Sequence, residues 1–429
     1  MGQRSGSTGR RLRGTLPTVD LSYTAEDEAF RRKVRDWFER NTPGPLETHE
    51  QHRAWHRKLY EAGFIGMGWP KEYGGQGATP MQQAIVGEEM ASLNVPGGVN
   101  GLGIGFIGPT LIAHGTEQQK QRYVPKILTA DEIWCQLYSE PNAGSDLAGL
   151  QTRAVRESYQ DGEYYVVNGS KIWTSQAHLA DFAVLLARTD TQAPKHKGIS
   201  YFIFDMHAPG VDVRPLKQIT GSSEFNEVFF TDVKVPVENL IGAEGQGWQL
   251  AQTTLGYERG GSLLGRVIHH RGNLRRLFDV CRTLERDGAP LLDNPVVRQK
   301  LGQMIAETEV LYYGALRVLS RLDKGQRPGP ESSIDKLYLS EMDKRHQELI
   351  QSILGPYGQL ELGAPAEVML HPDGVAGLQD ATWTYNFLRS RAGTIYSGSS
   401  EIQKNIIGER VLGLPREARA DRSAAASRG

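Results

Sequence analysis

The spacing of apolar residues changes twice along the chain, and these changes limit the folds that it can adopt. From Thr24 to Leu128, apolar residues recur every three or four positions, which is the spacing of helices. Between residues 136 and 235 they form short β-rich runs separated by turn residues, and from Glu244 onward the helical spacing returns. This order predicts an α+β protein with an all-α N-terminal domain, a middle antiparallel β-barrel or sandwich and a C-terminal four-helix bundle.

The same transitions set the predicted domain limits. We place an N-terminal α-helical domain at 21–134, a β-barrel domain at 135–243 and a helical bundle at 244–415. Residues 1–20 combine several arginines with Gly, Ser and Thr and lack the apolar segment of a signal peptide. Residues 416–429 are rich in Ala, Arg and Ser, so we expect both ends of the chain to be disordered.

Composition argues against several classes of function. The formal net charge of −1 over 429 residues gives no electrostatic reason to expect a nucleic acid or an anionic membrane as partner. Cys135 and Cys281 form no CxxC pair, which argues against a disulfide framework or a zinc site and favours the reducing cytoplasm. No apolar run reaches the ~18 residues of a membrane span. The absence of HExxH and GxSxG motifs argues against a metallohydrolase or a serine hydrolase.

Two short motifs depend on their structural context. Gly103, Gly105 and Gly108 fit GxGxxG, but a dinucleotide fingerprint requires a preceding strand. The residues before Gly103 have a helical pattern followed by a Pro-Gly-Gly break, so we do not predict a Rossmann domain. Asn168-Gly169, between two short β-rich runs, predicts a two-residue hairpin turn.

Residues 136–149 carry the clearest functional signal, Gln-Leu-Tyr-Ser-Glu-Pro-Asn-Ala-Gly-Ser-Asp-Leu-Ala-Gly. Pro141, Gly144 and Gly149 prevent a continuous helix, so backbone N–H groups are exposed beside hydroxyls. Such a segment suits a negatively charged or polar-edged ligand, for example a nucleotide cofactor. From these residues alone, a polar turn between domains is the alternative.

The order of residues in this segment resembles the flavin-binding signature of the acyl-coenzyme A dehydrogenase family. The resemblance covers residues 21–415 and is carried also by Gly-Trp-Pro-Lys-Glu-Tyr-Gly-Gly at 68–75, Gly-Ser-Lys-Ile-Trp at 169–173, and residues 230–236 and 396–414. It implies FAD as cofactor and electron-transfer flavoprotein as electron acceptor. The implied reaction converts an acyl-CoA thioester into its trans-2-enoyl product: a carboxylate removes the α-proton, and the β-hydride passes to N5 of FAD.

The resemblance also assigns contacts to the flavin. The implied cofactor-binding residues are Tyr138, Ser139, Gly144, Ser145, Trp173, Ser175, Ser399 and Glu401. Trp173 would cover one face of the flavin, Ser175 would approach N5, and Ser145 would also touch the substrate. Without the resemblance, Trp173 would be interpreted as an ordinary core residue of a β-barrel.

The catalytic base departs from the pattern of many family members. They carry a C-terminal glutamate in Tyr-Glu-Gly-Thr, and Ser397 stands at that position here. Another branch of the family takes the glutamate from a bundle helix, just before an arginine, and Glu258-Arg259 match that pattern. The resemblance therefore implies that Glu258 is the base and that Arg259 binds substrate. The backbone N–H of Ser397 would stabilise the developing enolate.

Other departures from the family pattern concern residues of one subunit that contact the FAD of a neighbouring subunit. Homomeric members carry Arg-x-x-Phe-Gly, where this chain has Leu284 and Asp287 in place of arginine and phenylalanine. A later element that receives the adenine begins with glutamine in those members and with Ser352 here. We expect a hetero-tetramer in which a related chain supplies these contacts, as in bacterial enzymes that act on steroid side chains. A homo-tetramer with rearranged FAD binding is the alternative.

Two questions stay open at this stage. Residues 360–379, rich in Gly, Pro and Ala, predict a loop that either reshapes the acyl pocket for a bulky or branched tail or is a surface insertion. The same family pattern also fits a subunit that binds flavin without doing chemistry. It fits as well an oxygen-using flavoenzyme, such as an acyl-CoA oxidase or a flavin monooxygenase.

Overall fold

The computed structural model describes residues 23–261, 263–324, 329–360 and 382–416, without the side chains at 258–261, 322 and 323. These residues form three regions in the predicted order: helical, sheet and helical. The predicted tail at 1–20 lies outside the described residues, as do residues 417–429 of the predicted tail at 416–429 and residues 361–379 of the predicted loop at 360–379. The domain limits therefore stay predictions.

Most helices of the N-terminal region begin at threonine caps. In four of them a threonine hydroxyl accepts a hydrogen bond from the backbone N–H three residues later, and the side chain at that position bonds back to the threonine. Phe38, Trp55 and Leu111 lie in the core that these helices enclose. The helices are α1 (Ala25–Asn41), α2 (His49–Glu61), α3 (Pro80–Ser92), α4 (Gly108–His114) and α5 (Glu117–Thr129).

The GxGxxG stretch is helical. Gly103–Ile107 form one π-helical turn that continues directly into α4. No strand precedes this turn in the part of the chain that the structure describes, so the context of a dinucleotide fingerprint is missing. The decision against a Rossmann domain is confirmed.

The middle region is one mixed sheet. Its strands are β1 (Trp134–Leu137), β2 (Arg153–Tyr159), β3 (Gly162–Ser175), β4 (Phe182–Arg188), β5 (Ile199–Asp205), β6 (Val211–Leu216) and β7 (Phe225–Pro236). β2, β3, β7 and β6 follow one another in antiparallel pairs, and β4 pairs antiparallel with β5. On its other edge, β4 pairs parallel with β1 and with the first residue of β2. The sheet is therefore not purely antiparallel. Since β5 and β6 each pair with one strand among the described residues, a closed barrel is not confirmed.

The predicted hairpin turn at Asn168-Gly169 is wrong. Both residues lie inside β3, and the turn of the β2–β3 hairpin is Gln160-Asp161. The register of β3 against β7 shifts between Val167 and Gly169, which marks a bulge. Gly169 has φ 145°, and an added Cβ would lie 2.7 Å from Thr152 Oγ1. The glycine is needed for this close approach rather than for a turn.

The C-terminal region is helical, as predicted. Its elements are α6 (Gly247–Gly261), α7 (Leu263–Thr283), the short hairpin β8 (Glu285–Arg286) and β9 (Ala289–Pro290), α8 (Pro295–Asp323), α9 (Ser332–Leu354), α10 (Trp383–Gly393) and α11 (Ser400–Ile406). Helices α7 to α10 pack in succession around Leu277, Leu301 and Ile350. α6 packs mainly against β5 and the π-helical turn, and it makes smaller contacts with α7 and α9. No helix within the described ranges is long and apolar enough to span a membrane.

Two histidines are enclosed between α7, α8 and α9. His270 on α7 has a side chain that is 12% exposed, and its Nδ1 lies 3.9 Å from Asp343 Oδ1 on α9. Burial lowers the pKa of His270 to about 4, although Asp343 opposes the shift. Burial also lowers the pKa of His346, whose Nε2 lies 3.0 Å from Glu307 Oε2 and donates to this carboxylate in the tautomer that carries the proton on Nε2.

These shifts predict a loss of stability in mild acid. An unfolded histidine binds a proton near pH 6.5, whereas folded His270 binds one only near pH 4. Between these values the unfolded state holds more protons, so the free energy of unfolding falls as the pH falls, by roughly 2–3 kcal/mol for this one group. Urea titrations at pH 7, 6 and 5 measure it. His270→Gln should flatten the dependence, and the exposed His207→Gln should not; equal slopes in all three proteins would contradict the assignment.

Candidate active site

The segment after β1 is folded so that part of its backbone faces outward. Glu140 and Ala143 exchange two backbone hydrogen bonds of 3.1 and 3.0 Å, which close a tight turn over Pro141 and Asn142. Tyr138 before the turn is buried, whereas Gly144 and the adjacent residues 145 and 146 are exposed. Exposed N–H groups beside a hydroxyl are what the sequence of this segment predicts.

A buried ion pair fixes this segment to β3. Lys171 is fully buried, and its Nζ donates to Glu140 Oε1 at 2.8 Å and to the carbonyl of Tyr138 at 3.0 Å. The Glu140 carboxylate also accepts the backbone N–H groups of Gln151 at 2.6 Å and Thr152 at 2.9 Å. Each oxygen of Glu140 therefore has a donor, which offsets the cost of burying the charge.

The pKa values of the pair agree with an ionised state. Burial raises the pKa of Glu140, but the Lys171 ammonium and the donors to the carboxylate outweigh it, so the pKa ends below its ordinary value. Burial lowers the pKa of Lys171 to about 8 against the opposing effect of Glu140. At neutral pH both groups are charged, and the segment around Tyr138 is held by charge-assisted hydrogen bonds.

Trp173 lies next to this attachment in a strained conformation. The β3–β7 register shifts between Lys171 and Thr174, and Trp173 has φ 61° with 58% of its surface exposed. The N–H of the preceding Ile172 donates to the carbonyl of Ser139 at 2.8 Å, so the bulge lies directly beside the 136–149 segment. A bulky residue at positive φ is rare, and such strain is typical of functional sites.

Phe225 supports the indole and connects it to the helical domain. The two rings meet edge to face with centroids 6.2 Å apart. Arg389 on α10 lies 5.6 Å from the centre of the Phe225 ring and forms a 3.0 Å ion pair with Glu224. Neither Phe225 nor Arg389 was singled out from the sequence. Since the contact joins residues 164 positions or more apart, no local pattern identifies it.

The turn that contains Ser397 is held by two side chains. Ser397 has φ 53° and lies between α10 and α11. Lys336 Nζ donates to the carbonyls of Gly393 at 3.0 Å and Gly398 at 2.8 Å. Gln403 Nε2 donates to the carbonyls of Ser397 at 3.3 Å and Gly398 at 3.1 Å. The backbone here is therefore fixed independently of the side chain at 397.

Two predicted cofactor contacts lie at the start of α11. Ser399 is the N-cap, and its Oγ accepts the Ile402 N–H at 3.4 Å. Glu401 is exposed, and hydrogen bonds from its own backbone N–H and from Ser399 lower its pKa. Both residues have a structural role in beginning the helix, and their contact with a cofactor stays a prediction.

Positions 258 and 259 lie in the last turn of α6. The side chains of Glu258 and Arg259 lie outside the described residues, so their predicted roles rest on the sequence. Arg266 near the start of α7, the helix that directly follows α6, donates to Tyr396 Oη at 3.1 Å. This contact links the start of α7 to the turn that contains Ser397.

The arrangement fits a flat aromatic cofactor with anionic groups. An exposed indole, half-buried hydroxyls at Ser139 and Ser175 and an open Gly144 lie on two adjacent segments. Within the described ranges, no group of three His, Cys, Asp or Glu residues is placed to hold a metal ion.

Comparison with known proteins decides the family. Three family models match in succession: the acyl-CoA dehydrogenase N-terminal domain at residues 24–131, the middle domain at 135–233 and the C-terminal domain at 245–412. The chain belongs to the acyl-CoA dehydrogenase family. This confirms the resemblance inferred from the sequence, and the protein is an oxidoreductase of that class.

Its relatives include members with two kinds of chain. Acyl-CoA dehydrogenase IpdE1 of Mycobacterium tuberculosis is 39% identical over 405 residues, which cover 91% of this chain and 99% of that one. The ChsE4-ChsE5 complex of M. tuberculosis matches with a TM-score of 0.78 and 32% identity over 93% of this chain and 100% of that one. The Tcur3481-Tcur3483 steroid ACAD matches equally well, with a TM-score of 0.78, 30% identity and the same coverage.

The Lys171–Glu140 pair predicts a strong energetic coupling. Lys171→Met should lower the free energy of unfolding by about 3–5 kcal/mol, since it leaves a buried carboxylate without its counter-ion. Adding Glu140→Gln should restore at least half of the loss, because the charge is then removed as well. Urea denaturation of the wild type, both single variants and the double variant measures the coupling. Additive losses would show that the two side chains do not interact.

Proposed function

We propose that this acyl-CoA dehydrogenase uses FAD to convert an acyl-CoA thioester into the trans-2-enoyl-CoA. The observation that carries the proposal is the exposed Trp173 at its bulge, fixed beside the 136–149 segment by the buried ion pair. This places a flat aromatic face next to backbone donors and hydroxyls. When bound, FAD supplies the two-electron acceptor for the hydride that leaves the β-carbon.

The residues proposed to hold the cofactor lie in three places. Tyr138, Ser139, Gly144 and Ser145 belong to the 136–149 segment, Trp173 and Ser175 to the end of β3, and Ser399 and Glu401 to the start of α11. Trp173 would cover one face of the isoalloxazine ring and exclude water from it. Gly144 would allow a close approach, because an added Cβ would meet no heavy atom within 4 Å.

Glu258 is proposed as the base that takes the α-proton. Its carboxylate would gain the proton while the electron pair of the broken C–H bond enters the new C=C bond. The backbone N–H of Ser397 would donate to the thioester oxygen, and Arg259 would bind the substrate. The contact between Arg266 and Tyr396 supports this division of roles, because it links the helix that directly follows α6 to the 396–398 turn.

Changing the proposed base tests the mechanism directly. Glu258→Gln should slow flavin reduction by acyl-CoA by about 10²–10⁴-fold, since the amide cannot accept the proton. Stopped-flow bleaching of the flavin measures the rate, with Glu157→Gln on the exposed strand β2 as a control that should keep it. An unchanged rate in Glu258→Gln would remove this residue from the mechanism.

The same assay separates the proposed function from two alternatives, a flavin-binding subunit without chemistry and an oxygen-using flavoenzyme. A chain that binds flavin without doing chemistry would show no bleaching with any acyl-CoA, even as the wild type. An oxygen-using enzyme would produce hydrogen peroxide during turnover without an acceptor protein. We propose instead that electron-transfer flavoprotein reoxidises the enzyme.

We also propose a related partner chain and a bulky acyl group, such as a steroid side-chain thioester. The name of the Tcur3481-Tcur3483 steroid ACAD and the two-chain ChsE4-ChsE5 complex support both points. Within this chain, Asp287 is at the exposed tip of the β8–β9 hairpin, and Arg286 donates to the carbonyl of Ile353 at 2.8 Å. The β8–β9 hairpin and the end of α9, which carry the residues that differ from those of homomeric members, are therefore neighbours. This supports the loss of a single region that would contact the FAD of a neighbouring subunit.

An exposed apolar surface in the helical domain further supports assembly. Val310 and Tyr313 on α8 are 61% and 55% exposed, and Ile334 on α9 is 38% exposed. These three residues border a cavity of about 370 Å³. Exposed apolar side chains grouped in this way are typical of protein–protein interfaces.

Co-expression tests the partner. The chain alone should purify with less than one FAD per subunit, and co-expression with a related acyl-CoA dehydrogenase chain should raise FAD content and yield a mixed oligomer. Flavin absorbance and light scattering measure both quantities. Full FAD occupancy in an oligomer of this chain alone would contradict the proposal and favour the homo-tetramer.

A further inference from the structure

Four buried hydroxyls form a chain where the three regions of the molecule meet. Tyr138 Oη lies 2.7 Å from Tyr201 Oη, which lies 3.1 Å from Thr254 Oγ1. Thr254 Oγ1 in turn lies 3.0 Å from Thr110 Oγ1. Thr110 belongs to α4, Tyr138 to the 136–149 segment, Tyr201 to β5 and Thr254 to α6, and none is more than 5% exposed.

Each hydroxyl proton of this chain has an acceptor within hydrogen-bonding distance. Thr110 Oγ1 also lies 2.7 Å from the Phe106 carbonyl, and Thr254 Oγ1 lies 3.1 Å from the Leu250 carbonyl. Four hydroxyl protons serve these five contacts, so at most four of the contacts are hydrogen bonds at one time, and a lost hydroxyl has no replacement donor among them. Burial raises the pKa of Tyr201 to about 12, which keeps its hydroxyl protonated at neutral pH.

The chain contacts α6 one helical turn before the proposed base. Thr254 and position 258 are four residues apart in α6, and residues at this spacing lie on the same face of a helix. Apolar contacts, such as those of Leu250 and Ala251, tolerate small slides and rotations of a helix. Hydrogen bonds of about 3 Å weaken steeply with such displacement. The Tyr201–Thr254 contact therefore restricts the rotation and axial position of the turn that carries residue 258.

We propose that Tyr201 and Thr254 are positioning residues for the dehydrogenation. They connect the 136–149 segment to α6 and thereby set the position of the catalytic base relative to the flavin. The inference rests on the proposed role of Glu258. Neither residue is among the proposed flavin and substrate contacts, yet both would affect the rate of the chemical step.

Removal of the hydroxyls should slow flavin reduction and leave the binding of acyl-CoA and FAD nearly unchanged. Tyr201→Phe and Thr254→Val should each slow flavin reduction about 10-fold or more, since a displacement of about 1 Å can cost up to ~10²-fold in rate. The Kd for acyl-CoA and the FAD content should stay within about twofold of the wild type. Thr254→Ser keeps the hydroxyl and should restore most of the rate.

The experiment is single-turnover flavin reduction, expressed per bound flavin, in the FAD-loaded protein with its partner chain where one is required. Thr308→Val is the matched control, because Thr308 is a fully buried helical threonine whose Oγ1 donates only to the Met304 carbonyl of its own helix. It should lose comparable stability and keep the reduction rate. A slower rate in Tyr201→Phe and Thr254→Val, with rescue by Thr254→Ser, supports the inference.

Two results overturn it and can be told apart. If Glu258→Gln abolishes reduction but Tyr201→Phe and Thr254→Val reduce flavin as fast as Thr308→Val, the base is correct and the positioning role is wrong. If Glu258→Gln keeps the full rate, the base assignment fails, and the inference that rests on it fails with it.

Discussion

The Lys171–Glu140 ion pair is the interaction on which the site depends. A fully buried ammonium and a buried carboxylate are costly to desolvate, and the structure compensates them with backbone donors and a carbonyl acceptor. The result is a rigid cross-link between the end of β1 and the bulge of β3. An apolar pair of similar size could fill the same space, but it would not fix the direction of the Tyr138 carbonyl or the register beside Ile172.

Strain in the backbone lies next to this cross-link and in the turn between α10 and α11. Trp173 and Ser397 both adopt positive φ without being glycine. Each is held by hydrogen bonds of its neighbours: the Ile172 N–H beside Trp173, and Lys336 with Gln403 beside Ser397. Conformations of this kind persist only where the surroundings determine them. We infer that the position of α6 relative to the site is also determined by its surroundings, in this case by the buried hydroxyls.

Local signals in the sequence identified the two helical regions, because the apolar spacing that indicates a helix lies within each short segment. The capping threonine Thr48 places the start of α2 at His49. The sheet was harder to predict. Asn168-Gly169 has the composition of a turn, but pairing with β7 keeps it inside β3, and tertiary contacts outweigh a dipeptide preference. The parallel pairing of β1 with β4 joins residues about 48 positions apart, and no short pattern predicts it.

For the site, the sequence identified the segments and the structure identified what holds them. The 136–149 segment and Trp173 were predicted from a family pattern, whereas the roles of Lys171, Phe225 and Tyr201 depend on long-range contacts. The most direct test of the account is a crystal structure of the FAD-loaded protein. We expect the isoalloxazine ring in van der Waals contact with Trp173, at about 3.5–4 Å, and polar contacts to residues 138–145. A flavin bound away from Trp173, with Lys171 and Glu140 apart, would contradict it.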